Sequence, residues 1–527
     1  MTMATAIDTD SHTTHTTTPK EERRVILGSS LGTVFEWYDF YLYGSLAVFF
    51  GSLFFPKGNE TAALLASLAT FGAGFAIRPV GAIIFGRLGD LFGRKKTFLA
   101  TIVIMGLSTA LVGVLPTYEQ VGILAPILLV LLRLIQGLAM GGEYGGAAIY
   151  VAEHAPAKKR GFRTSWIQTT GTIGFLLSLG VILTCRSLLG EEEFRAWGWR
   201  IPFLLSLVLL MVSVYIRMTL SESPVFLKMK AEHKLSANPV KESFGDSKNL
   251  RLVFIALLGA IAGQAVVWYT GQFYALFFLQ SILKIEFGLS TMLVALALVI
   301  GTPLFVFFGY LSDKVGRKPI ILAGCLLGAL TFMPIYKGLM HYGNPALEAA
   351  IATTPVILTA PENCNNCDAI RNELSARGVP YRTVIEANNS VAISIGDLNL
   401  TAPDKPTLTA ALASAGYPGA ADPAQVNKPM MLLLLVLLMT YVTMVYGPMA
   451  AFLVELFPAR IRYTSMSLPY HLGNGCFGGF LPLISSWLVL WTGNVYAGLY
   501  YPIGVAALTC IVGFIYIRET KNLDLNR

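Results

Sequence analysis

The sequence is short of charge. Only 13% of its 527 residues are Asp, Glu, Lys or Arg, whereas 54% are hydrophobic. Soluble domains carry roughly 25% charged residues, so this chain has too few polar side chains to cover its surface in water. We therefore expect lipid to be its solvent, and a soluble globular protein is excluded.

The sequence also lacks the motifs of several enzyme and pump classes. It contains no G-x-x-x-x-G-K-[ST] phosphate-binding loop, which an ATP-driven pump needs. It contains no H-E-x-x-H metal motif and no nucleophile-elbow serine with suitable partners. The sequence therefore predicts a protein that is not an enzyme, with no catalytic residues, no bound metal and no cofactor.

Long apolar runs are abundant. A spanning helix needs about 20 mostly apolar residues, and we count twelve such runs along the chain. The count predicts an all-α membrane protein with both termini on one side. The runs lie near residues 25–50, 62–86, 97–116, 122–150, 164–189, 199–218, 252–279, 288–312, 319–337, 429–453, 464–490 and 496–517.

The basic residues follow the same topology. A net charge of +8 could indicate a nucleic-acid partner, but Lys and Arg concentrate in alternate short loops, such as 87–96, 158–163, 314–318 and 460–462. The positive-inside rule places these loops and both termini in the cytoplasm. We therefore expect no nucleic-acid partner, and we expect the polar, Thr-rich residues 1–22 to form a disordered cytoplasmic tail.

Two segments of the chain repeat each other. GRLGDLFGRKK starts at Gly86 and GYLSDKVGRKP starts at Gly309, so both share the frame G-x-L-x-D-x-x-G-R-K. A second pair, EHAPAKKRGFRTS and ELFPARIRYTS, places Pro156 and Pro458 in matching positions. The second pair lies further apart than the first, so the second half has gained residues, and the polar stretch 338–428 accommodates them. The sequence thus predicts two six-helix repeats, an arrangement known among transporters.

The doubled loop motif resembles that of the major facilitator superfamily. Segments EWYDFYLYG (36–44), FAIRPVGAIIFG (75–86) and RLIQGLAMGGEYGGA (133–147) are similar to its metabolite:proton symporter branch, which includes carriers of proline and betaine, alpha-ketoglutarate, citrate and shikimate. The resemblance covers nearly all of the chain except the tail and the 338–428 insertion. It implies a proton-coupled symporter that moves a small organic acid or zwitterion by alternating access in the bacterial inner membrane.

In that superfamily the loop motif latches the two halves in one state, and the resemblance assigns the same role here. A charge beside the membrane is costly unless it has a partner or a function, which favours a gating role for Asp90. The alternatives are that Asp90 caps a nearby helix and that the basic residues only set orientation. The predicted gating motif comprises Gly86, Asp90, Gly93, Arg94, Asp313, Gly316 and Arg317.

Ionisable residues within the predicted helices are the strongest functional clue, because a charge in hydrocarbon is costly. Glu36 and Asp39 lie three residues apart on one face of the first helix. Arg133, Gln136 and Glu143 form one stripe along the fourth helix. With a rise of about 1.5 Å per residue, Asp39 and Arg133 are expected at the same depth, near the midplane.

These charges predict two sets of opposite sign, Asp39 with Arg133 and either Glu36 or Glu143 with Arg78. A carboxylate in a dry cavity can take a proton near neutral pH, and arginine can bind a substrate carboxylate with two parallel hydrogen bonds. We therefore expect the three carboxylates to couple protons, led by Asp39, and the two arginines to bind substrate, led by Arg133. The alternative is that these pairs only hold helices together.

The predicted substrate-binding set also includes Gln136 and a polar-aromatic stripe on the seventh helix, formed by Gln264, Trp268, Tyr269 and Gln272. Such aromatic faces can bind a quaternary ammonium group by cation–π attraction. Ordinary packing is the favoured alternative for the aromatic members of the stripe, because such residues are common in helix interfaces.

The insertion holds two of the six cysteines, Cys364 and Cys367, as C-x-x-C in ENCNNCDAIRNELSARGVPYRTV. The order of elements resembles the start of a glutaredoxin. Outside the cytoplasm a disulfide is permitted, and a structural Cys364–Cys367 disulfide is favoured over redox activity. A lone C-x-x-C does not make a zinc site. The predicted elements are a strand at 355–359, a helix at 367–377, a strand at 381–385 and further strands to about residue 402.

We therefore expect a membrane-embedded monomer that needs only a proton as coupling ion, a small-molecule substrate and the lipid bilayer. The alternative is a sensor or receptor on a transporter scaffold, with the small α/β insertion as its binding module; uptake of labelled solute would separate the two. The predicted parts are a tail (1–22), a first six-helix bundle (23–218), a central cytoplasmic loop (219–250), a second six-helix bundle (251–337 and 429–518), a periplasmic insertion (338–428) and a cytoplasmic tail (519–527).

Overall fold

The computed structural model describes residues 19–56, 60–219, 221–361, 364, 367–386, 391–521 and 523–525. Most of the predicted amino-terminal tail, residues 1–18, lies outside the described residues. The first helix begins at Pro19, so residues 19–22 are helical and do not belong to a tail.

Twelve long helical segments make up most of the described chain, in agreement with the predicted all-α fold. The first six are α1 (Pro19–Phe54), α2 (Glu60–Ala76 and Arg78–Phe92), α3 (Arg94–Val112), α4 (Leu124–His154), α5 (Arg160–Glu193) and α6 (Arg200–Met218). The second six are α7 (Ser247–Ile282), α8 (Phe287–Val315), α9 (Arg317–Gly343), α10 (Lys428–Leu456), α11 (Ala459–Thr492) and α12 (Ala497–Tyr516). Within the described residues, α3 to α12 are each long and apolar enough to cross a membrane.

The outer surface of the bundle is apolar. Large side chains such as Leu330, Phe514 and Ile515 are 66%, 76% and 62% exposed. Soluble proteins rarely expose contiguous apolar surface of this kind, because transfer of such area out of water is favourable. Hydrocarbon is the solvent that these side chains fit, so the protein is integral to a membrane.

The two bundles meet through two equivalent helix pairs. α2 packs on α11, and α5 packs on α8. The loops that follow α2, α4, α8 and α10 lie at one end of the molecule, which we call the tail face and define by Arg94, Arg160, Arg317 and Arg462. The opposite end carries the insertion, and we call it the insertion face.

Two helices of the second bundle depart from regular α geometry. α7 contains π-helical turns at Leu257–Ile261, Thr270–Tyr274 and Phe278–Ile282, and α11 contains one at Gly473–Gly479. Such turns interrupt the regular hydrogen-bond ladder and are common at functional sites. They occur in two neighbouring helices that face the first bundle.

The insertion is a small α/β unit. Its four strands are β1 (Val356–Ala360), β2 (Arg382–Ile385), β3 (Ala392–Ile395) and β4 (Leu398–Thr401), in the sheet order β2-β1-β3-β4. β1 pairs in parallel with β2 and antiparallel with β3, and β3 pairs antiparallel with β4. Three helices accompany the sheet, at Pro345–Thr353, Cys367–Ala376 and Lys405–Ser414. The strands and the helix predicted after the cysteines are therefore confirmed.

The insertion begins later than predicted, because α9 continues to Gly343 and its apolar residues remain buried to that point. The insertion sits on the second bundle. Tyr381 N donates to the Gly493 carbonyl at 2.9 Å, and Ala421 N donates to the Lys284 carbonyl at 3.0 Å. Asn344 Nδ2 donates to the Leu283 carbonyl at 2.9 Å. These bonds fix the insertion to the outer ends of α7 and α11.

The central loop contains two short helices, Pro224–Ala231 and Pro239–Gly245, and α7 begins at Ser247 rather than at residue 251. Ser223 and Asn238 cap the two short helices, because each side chain accepts a backbone N–H from the first turn. The loop is therefore folded along the tail face.

Candidate functional site

A cavity lies inside the first bundle, between α1, α2, α3 and α4. The space between its lining atoms is about 330 Å³, which includes a part open to solvent, and about 20 Å³ could hold the centre of a water molecule. Asp39, Thr109, Arg133 and Gln136 provide its polar lining, and Phe75 is among its apolar residues. The structure thus brings the predicted proton carrier and the predicted substrate clamp to one buried site.

Several contacts orient Arg133 on α4. Its Nη1 donates to Gln136 Oε1 at 2.5 Å, and Gln136 Nε2 in turn donates to Thr109 Oγ1 at 2.7 Å. The guanidinium lies 3.8 Å from the centroid of the Tyr43 ring. Only 7% of the residue is exposed. A cation so enclosed is costly unless an anion or an aromatic face compensates it.

Asp39 on α1 is equally enclosed, with 6% of its surface exposed. Ser206 Oγ on α6 donates to its Oδ1 at 2.7 Å. Arg133 lines the same cavity, so its charge is positioned to offset that of the Asp39 carboxylate. Protonation also neutralises a carboxylate in this position, and it then no longer needs a cation to offset its charge.

Arg78 on α2 is surrounded by aromatic rings at the edge of the cavity. Its guanidinium carbon lies 4.1 Å from the centroid of Phe75 and 5.6 Å from that of Phe40. Its Nη2 also contacts Met140 Sδ at 3.4 Å. Of the two carboxylates predicted to pair with Arg78, Glu36 lies within electrostatic reach of it.

Glu143 has a different partner from the predicted one. Its carboxylate pairs with the Arg217 guanidinium, and Thr101 Oγ1 donates to Glu143 Oε2 at 2.8 Å. Arg217 stands in the last turn of α6. Its side chain turns into the bundle, where it is 1% exposed and its guanidinium lies 3.5 Å from the centroid of Phe98. The Glu143–Arg78 alternative is therefore wrong.

The stripe predicted on α7 packs at the junction of the two bundles. Trp268 contacts Trp37 on α1, with ring centroids 5.6 Å apart, and Tyr269 contacts Phe75 on α2 at 6.3 Å. These rings lie between α7 and the first bundle, whereas the residues that line the cavity come from α1 to α4. The aromatic members thus form a wall beside the cavity and do not line it.

The polar members of the stripe are buried in the same junction. Gln264 Nε2 donates to Asn474 Oδ1 on α11 at 3.3 Å, and Gln272 is 7% exposed. Gln264 therefore links α7 and α11, both of which contain π-helical turns.

At the tail face, Asp90 closes the contact between α2 and α11. Its carboxylate accepts the backbone N–H of Tyr463 at 3.3 Å and that of Thr464 at 2.9 Å, and Thr464 Oγ1 adds a bond of 2.8 Å. Both donors lie in the first turn of the regular α-helical part of α11, which begins at Arg462. Asp90 therefore occupies the helix-capping position expected as its alternative role. Gly86 allows the approach, since a Cβ there would lie 2.8 Å from Thr464 Cα.

Asp313 makes the equivalent contact between α8 and α5. Its two carboxylate oxygens accept the backbone N–H of Gly161 at 2.9 Å and that of Phe162 at 2.8 Å. Both donors lie in the first turn of α5. The repeated sequence motif therefore produces a repeated cap, and each cap joins one bundle to the other.

The two motif arginines are fully buried beside these caps. Arg94 Nη1 lies 3.0 Å from Asp90 Oδ1, and its Nη2 donates to the Ala459 carbonyl at 2.9 Å across the bundle boundary. Arg317 Nη1 lies 2.8 Å from Asp313 Oδ1. Each guanidinium thus supports the capping carboxylate of its own half.

Two further carboxylates of this network were missed as site residues. Glu153 Oε1 lies 2.7 Å from Arg462 Nη1, and Glu455 Oε1 lies 2.8 Å from Arg160 Nη1 and 3.1 Å from Arg317 Nη2. Both ion pairs with Arg160 and Arg462 cross between the bundles. The available signal was the second repeated motif, in which both glutamates and both arginines stand at matching positions.

Gly93 and Gly316 end the capping loops with φ values of 116° and 112°, in the region that favours glycine. A Cβ at either position would meet the carboxylate of Glu222 or Glu519, respectively. Glu222 Oε1 accepts the N–H of Arg94 at 3.0 Å, so it caps the start of α3. The motif glycines are therefore required by the backbone and by this close approach.

The predicted carboxy-terminal tail, 519–527, takes part in the same face. Glu519 Oε1 accepts the backbone N–H of Arg317 at 2.9 Å and caps α9. The Leu525 carbonyl accepts a bond of 2.8 Å from Arg462 Nη2, and Leu525 is 5% exposed. The described part of this segment is therefore packed against the bundles and is not a free tail.

In the insertion, Cys364 and Cys367 are joined by a disulfide, as predicted. Cys367 begins a helix and is fully buried, whereas Cys364 is partly exposed.

Comparison with known proteins supports a common origin with transporters. The profile of the Sugar (and other) transporter family matches residues 25–251. The glycine betaine/proline/ectoine/pipecolic acid transporter OusA of Dickeya dadantii is 31% identical over 511 residues, which cover 95% of this chain and 84% of that protein. The inner membrane metabolite transport protein YhjE of Escherichia coli is 31% identical and covers 99% of this chain and 100% of its own length. The Escherichia coli shikimate transporter is 37% identical over 60% of this chain and 72% of that protein.

Solved structures share the fold. A structure of the proton:xylose symporter XylE superposes with a TM-score of 0.62 at 18% sequence identity, covering 96% of this chain and 98% of that one. A partially occluded inward-open structure of the Escherichia coli xylose transporter XylE gives a TM-score of 0.60 at 16% identity, covering 96% and 100%.

Proposed function

The chain belongs to the major facilitator superfamily of membrane transporters, and we propose that it is a proton-coupled symporter of a small carboxylate-bearing metabolite, either an organic acid or a zwitterion. Like the relatives named above, it is a transporter and not an enzyme. The observation that carries the proposal is the burial of Asp39 and Arg133 around one cavity inside the first bundle.

The charge balance of this cavity supports coupling. When Asp39 is ionised, its charge and that of Arg133 compensate each other across the cavity that both residues line. Protonation of Asp39 removes that compensation and leaves the guanidinium to bind a substrate carboxylate, which it does best through two parallel hydrogen bonds. A proton and a carboxylate therefore enter together, because either one alone leaves a buried charge unpaired.

The substrate class follows from the same chemistry. Arg133 and Arg78 offer two cations to a carboxylate, and the rings around Arg78 offer apolar faces that a quaternary or secondary ammonium group could contact. The relatives named for glycine betaine, proline and shikimate transport substrates that all carry a carboxylate. We propose the same group as the feature that this chain recognises.

Alternating access requires the cavity to face each side of the membrane in turn. The free space beside Arg133 in this structure is too small for such a metabolite, so substrate entry requires the surrounding helices to separate. The tail face is joined by the Asp90 and Asp313 caps and by the Glu153 and Glu455 ion pairs. We propose that these contacts release when the carrier opens toward that face.

We further propose that the tail face is cytoplasmic and that the protein resides in a bacterial inner membrane, as the basic loops predict. On this account the insertion lies on the opposite, periplasmic side. The protein functions as a monomer and needs no cofactor beyond the coupling proton.

The experiment is uptake by proteoliposomes that contain the purified protein. Labelled proline, glycine betaine and shikimate are tested with and without an inward proton gradient, and an uncoupler serves as control. We expect accumulation of at least one carboxylate above its external concentration only with the gradient. Equal uptake without the gradient would indicate facilitated diffusion, and binding without uptake would favour the sensor alternative.

A further inference from the structure

The insertion contains a disulfide that the transport proposal does not use. Cys364 lies in the connection after β1, and Cys367 begins the helix Cys367–Ala376 that leads to β2. β1 and β2 are parallel neighbours. The disulfide therefore lies at the carboxyl end of a central strand and at the amino end of a helix, on the side where open α/β sheets place their binding sites.

The two sulfur-bearing residues differ in accessibility. Cys367 is fully buried, whereas Cys364 is partly exposed. Cys364 is therefore the more accessible of the two residues, and we expect an external thiol to attack its sulfur rather than that of Cys367. The amino terminus of the helix favours a thiolate on these cysteines, because its partial positive charge stabilises an anion.

The disulfide contributes little to holding the insertion together. Its loop encloses only two intervening residues, and the stabilisation from a cross-link falls as its loop becomes shorter. The sheet has its own apolar core, in which Leu358, Leu374 and Ile393 are fully buried. The position of the disulfide therefore gives it little role in stabilising the insertion.

We propose that the Cys364–Cys367 pair is a redox-active site that exchanges its disulfide with the dithiols of other molecules. One thiolate of the dithiol attacks Cys364 Sγ and forms a mixed disulfide, and the bond to Cys367 breaks. Cys367 leaves as a thiolate and takes up a proton. The second thiol of the dithiol loses its proton and attacks the other sulfur of the dithiol, which is bonded to Cys364 in the mixed disulfide. This attack forms the disulfide of the oxidised dithiol and releases Cys364 as a thiolate, which takes up a proton.

In this exchange the dithiol is oxidised by two electrons to a disulfide, and the insertion is reduced by two electrons to a dithiol. No other oxidant is consumed. The activity is independent of solute transport, so it can hold whether or not the chain is a proton symporter.

The first test is a redox titration of the full-length protein in lipid nanodiscs. The protein is equilibrated with mixtures of reduced and oxidised glutathione, quenched in acid and alkylated, and the thiols at Cys364 and Cys367 are counted by peptide mass spectrometry. We expect a reversible transition, with dithiol and disulfide both populated within the accessible glutathione range. A bond that stays oxidised across that range until the protein unfolds is a structural disulfide and overturns the proposal.

The second test uses two matched variants and glutathione disulfide as the probe. Cys367→Ser leaves Cys364 accessible, and we expect a mixed disulfide with glutathione at this position. Cys364→Ser leaves the buried Cys367, and we expect its adduct to form at least about tenfold more slowly. Equal rates would contradict attack at Cys364. If either variant disrupts the insertion, the titration of the unaltered protein still decides.

Discussion

Asp90 and Asp313 occupy equivalent positions in the two halves of the chain, and each caps the first turn of a helix that belongs to the opposite half. Asp90 accepts backbone N–H groups from α11, and Asp313 accepts them from α5. The repeated loop motif therefore joins the two bundles at two equivalent places. On the alternating-access mechanism proposed above, the motif acts as a latch, and opening of the tail face breaks both caps.

The first prediction concerns this latch. Asp90→Asn keeps one acceptor oxygen but loses the charge, and hydrogen bonds to charged groups are worth about 1.5–3 kcal/mol. We therefore expect the population open at the tail face to rise by about tenfold or more. Double electron–electron resonance between spin labels at Lys158→Cys and Val315→Cys measures the opening, in a background where the exposed Cys476 is replaced by serine.

Asp313→Asn should act in the same direction, because its cap is the equivalent one. Glu232→Gln is the matched control, since this carboxylate pairs with Lys234 on the surface of the central loop. Unchanged label distances in both Asp variants would show that the caps do not hold the two bundles together.

The second prediction concerns the buried Glu143–Arg217 pair. Glu143→Gln leaves the Arg217 charge without its anion in a nearly dry environment, which costs roughly 3–5 kcal/mol in comparable pairs. We expect a clear decrease in the thermal unfolding temperature of the purified protein in detergent. Gly32 lies against the same guanidinium, so little space is available for water to compensate.

A double variant provides the control. Glu143→Leu combined with Arg217→Met removes both charges, and we expect it to recover most of the lost stability. A Glu143→Gln protein as stable as the unaltered one would mean that the pair is not the interaction that holds α4 and α6 together here.

The third prediction concerns Arg133. Arg133→Lys retains the charge but loses the planar fork and the stacking on Tyr43. We expect the KM for a carboxylate substrate to rise by at least about tenfold, in proportion to one lost bidentate contact. Initial uptake rates across a range of substrate concentrations measure this effect, with protein content determined in the same vesicles.

Arg186→Lys is the matched control for that measurement. Arg186 forms an exposed pair with Glu191 at the end of α5, so its replacement should leave uptake unchanged. If Arg133→Lys also leaves the KM unchanged, Arg133 does not bind the substrate carboxylate.

The fourth prediction concerns the pH dependence of the insertion. Partial burial raises the pKa of Glu373, but hydrogen bonds and charges from Arg377 and Lys405 outweigh it and hold the pKa below its ordinary value. The folded insertion therefore favours the ionised carboxylate. Its contribution to stability is present above the ordinary carboxylate pKa and is lost as the pH falls through the lowered value.

Hydrogen exchange of the Cys367–Ala376 helix, corrected for intrinsic exchange rates, measures this contribution. We expect Glu373→Gln to lower protection at neutral pH by about 0.5 kcal/mol and to flatten its acid dependence. An equal acid dependence in the variant would assign the effect to another group.

The sequence alone predicted much of the fold, because hydrophobic length and charge alternation are local properties. The twelve helices, the paired bundles and the strands of the insertion follow from such signals. The predicted end of the amino-terminal tail at residue 22 was wrong, because the first helix already begins at Pro19. The prediction of a free carboxy-terminal tail was also wrong, because Glu519 and Leu525 make tertiary contacts with α9 and α11 that the local sequence does not show.

The site could be predicted where two residues lie at the same depth along neighbouring helices. It could not be predicted where the orientation of a side chain depends on its surroundings. Asp39 and Arg133 could be placed together from helix rise alone. Arg217 could not be assigned to Glu143, because a residue in the last turn of a helix can point to solvent or into the bundle. The choice is made by Phe98 and by the space at Gly32, which only the folded chain supplies.

The most direct test of the central claim is the effect of Asp39→Asn on coupled transport. In proteoliposomes, we expect this variant to keep exchange of labelled for unlabelled substrate across the membrane while losing accumulation driven by an inward proton gradient. Exchange needs only binding and alternating access, whereas accumulation also needs a proton to be carried. Normal gradient-driven accumulation by Asp39→Asn would contradict the assignment of Asp39 as the proton carrier.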